Sequence, residues 1–197
     1  MNFHSLDIQI LFLINHGTAN SLFDVLMPAF SQQGYLLIIP FFFFLFLEGA
    51  RKKNAEGESL IVLAIWTVFI SCCAVYCAGW VEDTLKVTVA RVRPCRALEN
   101  LRLITACPKS YSMPSGHAIS SFASALPLFY LTRQYVALTW RLYPLILASL
   151  IAFSRLYLGV HYPTDVLAGA FLGALIGLLL SVVYQVLATR TTGKLRT

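Results

Sequence analysis

Apolar residues dominate this chain in runs longer than a soluble helix or strand requires. A helix needs roughly 20 apolar residues to cross a hydrocarbon core ~30 Å thick. Residues 59–81 supply such a run without a charge, and residues 164–188 supply another apart from Asp165 at its start. Residues 116–132 and 142–160 are shorter or interrupted, the second by Arg155. The phenylalanine-rich run 35–47 reaches full length if its helix begins near Ser31 and ends near Ala50. Ahead of it, residues 4–30 mix apolar positions with Asp7, Asn15, His16, Asn20 and Asp24, and Pro28 breaks the pattern. That mixture predicts one or two interfacial or re-entrant helices. The expected fold is all-α: a polytopic transmembrane helical bundle of five to six spans.

Composition sharpens this class. The chain is 58% hydrophobic and 12% charged, where a soluble domain carries about a quarter charged residues. Its 197 residues hold too few spans for two bundles, so one membrane-embedded domain over 1–197 is expected, with residues 1–30 as its N-terminal helices. The start, Met1-Asn-Phe-His-Ser-Leu-Asp7, lacks a basic n-region and a small-residue cleavage site, so no cleavable signal peptide is expected. The net charge of +6 comes without a basic helix or an aromatic-interleaved patch, which argues against nucleic acid as a partner. With five spans, Arg51, Lys52, Lys53, Arg133, Arg141, Arg190, Lys194 and Arg196 share one side, and Lys86, Arg91, Arg93, Arg96, Arg102, Lys109 and Arg155 share the other. Three of the second group belong to motifs with another use. Discounting them assigns the first side to the cytoplasm by the positive-inside rule.

Three short segments at the edges of apolar runs carry chemistry. The first is Lys86-Val-Thr-Val-Ala-Arg-Val-Arg93-Pro94. On a helix, Lys86 and Arg93 would project from one face, being nearly two turns apart, with Pro94 stopping the helix. Glu82, one turn before Lys86, is placed to pair with it. The second is Pro114-Ser115-Gly116-His117, where Ser115 suits an N-cap and the unpaired N–H groups of the following turn suit an anion. The third runs Ser154-Arg155 to His161 and Asp165. Pro163 suits a first helical position, and Asp165 can hydrogen-bond one nitrogen of His161, leaving the other as a nucleophile. Taken singly these are an interfacial basic face, a capped helix and a snorkelling arginine. Together, in order and on one membrane face, they form equipment for gripping and attacking a phosphate. His4 and His16 have no charged neighbour and are expected to be structural.

The set K-x6-RP, PSGH and SR-x5-H-x3-D resembles the three-part signature of the type-2 phosphatidic acid phosphatase family, and the resemblance covers roughly residues 60–187. It implies a helical membrane phosphatase, with the motifs across 86–165, that works without a cofactor or metal through a phosphohistidine. Carried onto this chain, His161 is the nucleophile, Asp165 orients it and His117 is the general acid. Lys86, Arg93, Arg155, Ser115 and Gly116 bind the phosphoryl oxygens. Soluble haloperoxidase relatives hold vanadate in such a cradle, so vanadate is expected to inhibit. The implied partners are the bilayer and a lipid phosphate or pyrophosphate, undecaprenyl pyrophosphate first, in a bacterial inner membrane with the site on the non-cytoplasmic face. Lipid A 1-phosphate, phosphatidylglycerophosphate and phosphatidic acid stay open as substrates. Lipid-to-lipid phosphotransfer and silent lipid binding stay open as activities.

Two further features carry expectations. Cys95 and Cys107 flank the loop between the first two motifs, where an interfacial helix is expected, and a disulfide would close that loop in an oxidising compartment. Gly169, Gly173 and Gly177 share a face of the last span and allow close helix approach. Packing inside a monomeric bundle is favoured over a dimer through these glycines.

Overall fold

The computed structural model describes residues 3–54, 57 and 59–192; the side chain of His4 and the tail cations Lys194 and Arg196 lie outside what it describes. Among the described residues the chain forms eight α-helices: α1 (Phe3–Gly17), α2 (Ser21–Gln33), α3 (Ile38–Arg51), α4 (Ile61–Val89), α5 (Pro94–Ala97), α6 (Gly116–Leu131), α7 (Leu138–Tyr157) and α8 (Pro163–Thr192). A 3-10 turn over Gly34–Leu37 joins α2 to α3. Three segments are long and apolar enough to cross a membrane: Ser21–Arg51, Ile61–Ala97 and Pro163–Arg190. The protein is an integral membrane helical bundle. The shorter α6 and the arginine-bearing α7 fall outside that set, in line with their shorter or interrupted apolar runs.

The N-terminal pattern resolves into two different helices. Asp7, Leu11 and Asn15, each four residues on from the last, form the buried stripe of α1. Asp7 bonds Thr164 at the start of α8, while the Asn15 side chain donates to the Tyr157 carbonyl at the end of α7 (2.7 Å). Both ends of α1 therefore touch the same end of the bundle, and α1 lies across it. By contrast, α2 belongs to the first long segment. Asn20 caps it by accepting from the Phe23 N–H, and the helix continues through Pro28 rather than breaking there. Proline inside a helix is tolerated more readily in membrane proteins, where neighbouring helices surround it. Asp24 meets Tyr157, Gly34 meets Ile151, and the Leu37 carbonyl accepts from Tyr143 (2.7 Å), so α2 and the turn after it run antiparallel to α7.

At the centre stands α6, packed between α4, α7 and α8. Its buried face is built from small residues, Ala118, Ser121, Ala123 and Ala125, and it meets Ala74 and Ala78 of α4. The glycine face of α8 closes on the other side. A Cβ at Gly169 would stand 2.6 Å from the Ser115 carbonyl oxygen, one at Gly177 would stand 2.6 Å from that of Ala123, and one at Gly173 would collide with the Ile119 carbonyl. The glycines are thus used inside the bundle against α6. Lipid offers no hydrophobic drive for helix association, so this close van der Waals fit has to supply it. At the far end, Lys52 donates to the Tyr135 carbonyl (2.7 Å), joining the two basic connections predicted to share one side.

Two local expectations need correction. Lys86 and Arg93 do not share a helix. Ala90 turns into the left-handed region (φ 48°) and ends α4 at Val89, and Arg93 is extended because a residue before proline is pushed out of the helical region. The interfacial helix expected between the first two motifs shrinks to the single turn of α5. The loop it opens is closed by a Cys95–Cys107 disulfide.

Replacing Gly173 by leucine forces α6 and α8 apart at backbone level. The expected loss is at least about 3 kcal/mol, read as a collapse of folded yield or thermal midpoint in detergent. A change confined to dimer content would count against the internal packing.

Candidate active site

Each motif reaches the same end of the bundle by a different route. Lys86, in the last turn of α4, is ion-paired with Glu82 one turn back. Glu82 also borders the α6 N-terminus, where a Cβ on Gly116 would overlap its carboxylate. A larger residue there would have to push that carboxylate aside, and the Glu82–Lys86 pair stands beside the helix start. Arg93, only 3% exposed, has turned inward from its extended segment. Its guanidinium donates to the Ser110 carbonyl (2.8 Å), the Ser110 hydroxyl (2.9 Å) and the Val160 carbonyl (3.0 Å), and its Nη1 lies 2.9 Å from His161 Nε2.

That last contact decides the state of His161. A guanidinium can only donate, so Nε2 must accept and the proton of the neutral ring sits on Nδ1. Nδ1 faces Asp165 Oδ2 at 3.5 Å, a close approach without an aligned hydrogen bond. Burial pushes the imidazole down to about 4; the Asp165 carboxylate opposes this and the charges of Arg93 and Arg155 add to it. The ring is therefore neutral near pH 7, with the Nε2 lone pair turned toward Arg93.

Asp165 is fully buried in the first turn of α8, as Pro163 at the helix start predicts. Its Oδ2 accepts from the Ser112 hydroxyl and from the Tyr162 N–H (2.9 Å), and its Oδ1 accepts from Arg91 (2.6 Å). The Ser115 N–H donates to the Asp165 carbonyl (3.0 Å), which ties the second motif to the third. Ser115 occupies the N-cap position of α6, yet its hydroxyl makes no cap bond.

His117 and Arg155 meet through Ser31 of α2. The Ser31 carbonyl lies 3.1 Å from His117 Nε2, so that nitrogen donates, and the Ser31 hydroxyl accepts from Arg155. The Tyr35 ring lies 5.9 Å from the His117 ring. Arg155, buried within α7, keeps its Nε without a partner among the described residues, and Ser115 Oγ is in the same condition, as are Tyr135 Oη and Arg141 Nε outside the motifs. Such buried groups are costly unless something completes them. Arg155 and Ser115 belong to the motifs, and a polar ligand held at that end would complete both. The cations Lys86, Arg93 and Arg155 fit that ligand to an anion. Among the described residues no three His, Cys, Asp or Glu side chains gather as a metal site would require.

The expected residues thus converge, with four additions from outside the motifs: Ser31, Asp7, Ser112 and Arg91. Arg91 had a sequence signal, since it is the second cation in the first motif. The serines and Asp7 had none, because their side-chain contacts span 53 to 157 positions. His16 is structural as expected, stacked on Phe12 and within 3.0 Å of the Asn100 carbonyl.

The PAP2 superfamily model matches residues 67–189. Over 97 residues the chain is 37% identical to an undecaprenyl-diphosphatase of Sulfolobus acidocaldarius, a match covering 49% of this chain and 45% of that one. The chain thus spans about half the length of this relative. It is 27% identical over 194 residues to a lipid A 4'-phosphatase of Bacteroides thetaiotaomicron, covering 94% of this chain and 80% of that one. Among solved structures it is similar to the crystal structure of Aquifex aeolicus LpxE, with a TM-score of 0.68, 26% identity, and coverage of 89% of this chain and 94% of that one.

Nuclear magnetic resonance of imidazole-labelled protein should find His161 titrating near pH 4. Asp165→Asn should lower that value further, because it removes the charge that favours the protonated ring. An ordinary value near 6.5 would contradict the buried geometry.

Proposed function

The chain belongs to the PAP2 superfamily, and we propose that it is a membrane phosphatase that removes the terminal phosphate of a lipid phosphate or pyrophosphate through a phosphohistidine. One observation carries this reading: His161 Nε2 faces the Arg93 guanidinium while Nδ1 faces Asp165. A phosphoryl group drawn toward Arg93 would meet the lone pair of Nε2.

In the proposed reaction Lys86, Arg93 and Arg155 bind the phosphoryl oxygens, with Ser115 Oγ and the Gly116 N–H completing the cradle. Charge stabilisation and positioning supply most of the catalysis of phosphoryl transfer, and three cations with a helix N-terminus are suited to both. Nε2 attacks phosphorus, and the bond to the leaving oxygen breaks. Asp165 stabilises the positive charge that develops on the ring. His117 already donates from Nε2 to Ser31, so when charged it offers the Nδ1 proton to the leaving oxygen. Water then attacks the phosphohistidine, with His117 as base, and inorganic phosphate departs.

For the substrate we favour an isoprenoid lipid pyrophosphate, undecaprenyl pyrophosphate first, supported by the 37% identity to a named undecaprenyl-diphosphatase. Lipid A phosphate is the second reading, supported by a relative matched over 94% of this chain. We place the site on the non-cytoplasmic face of a bacterial inner membrane. The disulfide beside it suits an oxidising compartment, and the basic connections gather at the opposite end. A single membrane-embedded, monomeric unit is part of the same reading.

Detergent-purified protein should release inorganic phosphate from lipid phosphates presented at equal surface concentration without added metal, and orthovanadate should inhibit it. His161→Ala should fall to background, and His117→Ala should lose roughly 10²- to 10⁴-fold. Equal release by His161→Ala and wild type would remove the proposal. Transfer of label to a second lipid instead of water would replace hydrolysis with phosphotransfer.

A further inference from the structure

One buried acid takes no part in the reaction above. Asp7 of α1 is 4% exposed, and its carboxylate does not end at a structural contact. Oδ1 accepts from the Thr164 N–H (2.9 Å), and Oδ2 accepts from the Thr164 hydroxyl (2.6 Å) and from Arg91 Nη2 (2.6 Å). The other arm of the same guanidinium, Nη1, donates to Asp165 Oδ1 (2.6 Å) and to the Thr164 hydroxyl (2.7 Å). The Arg91 guanidinium stands over the Tyr162 ring, 3.9 Å from its centroid, and the Arg91 carbonyl accepts from the Ser112 N–H (2.8 Å). Ser112 is the residue whose hydroxyl holds the other oxygen of Asp165. A chain of contacts thus runs from α1 through Arg91 to Asp165 and on to His161.

We propose that Arg91 and Asp7 are positioning residues for the nucleophile, with Arg91 fixing the rotation of the Asp165 carboxylate and Asp7 fixing Arg91; the inference rests on the phosphohistidine reading of His161. The geometry requires something of this kind. The Ser112 hydroxyl and the Tyr162 N–H hold Oδ2 on the His161 side, and Arg91 is the charged group that holds Oδ1 on the far side. Lysine cannot replace it fully, because a single ammonium lacks the planar fork that reaches both carboxylates. The consequence for the fold is that α1, which lies across the end of the bundle, is a working part of the site. Its docking sets the angle of a carboxylate far away in sequence.

The test measures steady-state phosphate release by wild type, Arg91→Ala, Arg91→Lys, Asp7→Asn and the Asp7→Asn/Arg91→Ala double variant, each checked for a retained thermal transition. Misplacing a catalytic group by an ångström can cost about 100-fold. Arg91→Ala should therefore lose roughly 10- to 100-fold in kcat with KM within about twofold. Arg91→Lys should recover part of that loss. Asp7→Asn should lose less, and the double variant should be no worse than Arg91→Ala, because Asp7 acts through Arg91. If Arg91→Ala does not fold, the lysine and Asp7 variants carry the test. Unchanged kcat in a folded Arg91→Ala, a loss expressed in KM, or additive effects of the two sites would overturn the proposal. If wild type hydrolyses no lipid phosphate, the phosphatase reading falls separately. The link is then read from the His161 imidazole by nuclear magnetic resonance. Arg91→Ala should titrate at higher pH, since a cation leaves and the Asp165 charge is no longer shared. No movement would end the proposal.

Discussion

The site depends first on how closely two helix backbones can approach. Along Gly169, Gly173 and Gly177, α8 lies so near α6 that even a methyl group would strike carbonyl oxygens. The approach brings the first turn of α8 beside the first turn of α6. There the Ser115 N–H finds the Asp165 carbonyl, and the second and third motifs become one structure. A wider separation would leave two helix starts with unpaired N–H groups and a buried aspartate beyond reach of its partners. In lipid, where water cannot repair such losses, small residues at the interface are the available means of bringing backbones together.

Buried charge is the second constraint. Asp7, Asp165, Arg93 and Arg155 are all nearly inaccessible, and an ion taken out of water is expensive unless its partners are well placed. The two aspartates share Arg91. The other two arginines are held by neutral groups: serine hydroxyls, backbone carbonyls and an imidazole. Among the described residues no carboxylate within hydrogen-bond reach cancels their positive charge. That asymmetry gives the site its character. The carboxylates are neutralised behind His161, and uncancelled cations stand in front of it.

Much of this was legible from residue spacing. Apolar runs marked the long helices, Pro163 marked the start of α8 and placed Asp165 in its first turn, and Glu82 was recognisable as the partner of Lys86 at helical spacing. Such relations extend over one or two turns, where helix geometry alone dictates neighbours. The reading failed at Arg93, because a helix was carried through residues that the proline and a left-handed Ala90 remove from it. At α2 the break expected at Pro28 is absent, since the helix runs on through that residue.

By itself the sequence determined the membrane class, the main helices and the identity of the motif side chains proposed to grip and attack a phosphate. Those properties follow from local periodicity and from the chemistry of single side chains. Only the tertiary structure decided which nitrogen of His161 carries the lone pair, because that depends on Arg93 arriving from 68 positions away. It alone brought Ser31 between His117 and Arg155, and Asp7 onto Arg91. Contacts between distant segments leave no periodic trace in a chain, since they depend on how helices cross rather than on how each one turns.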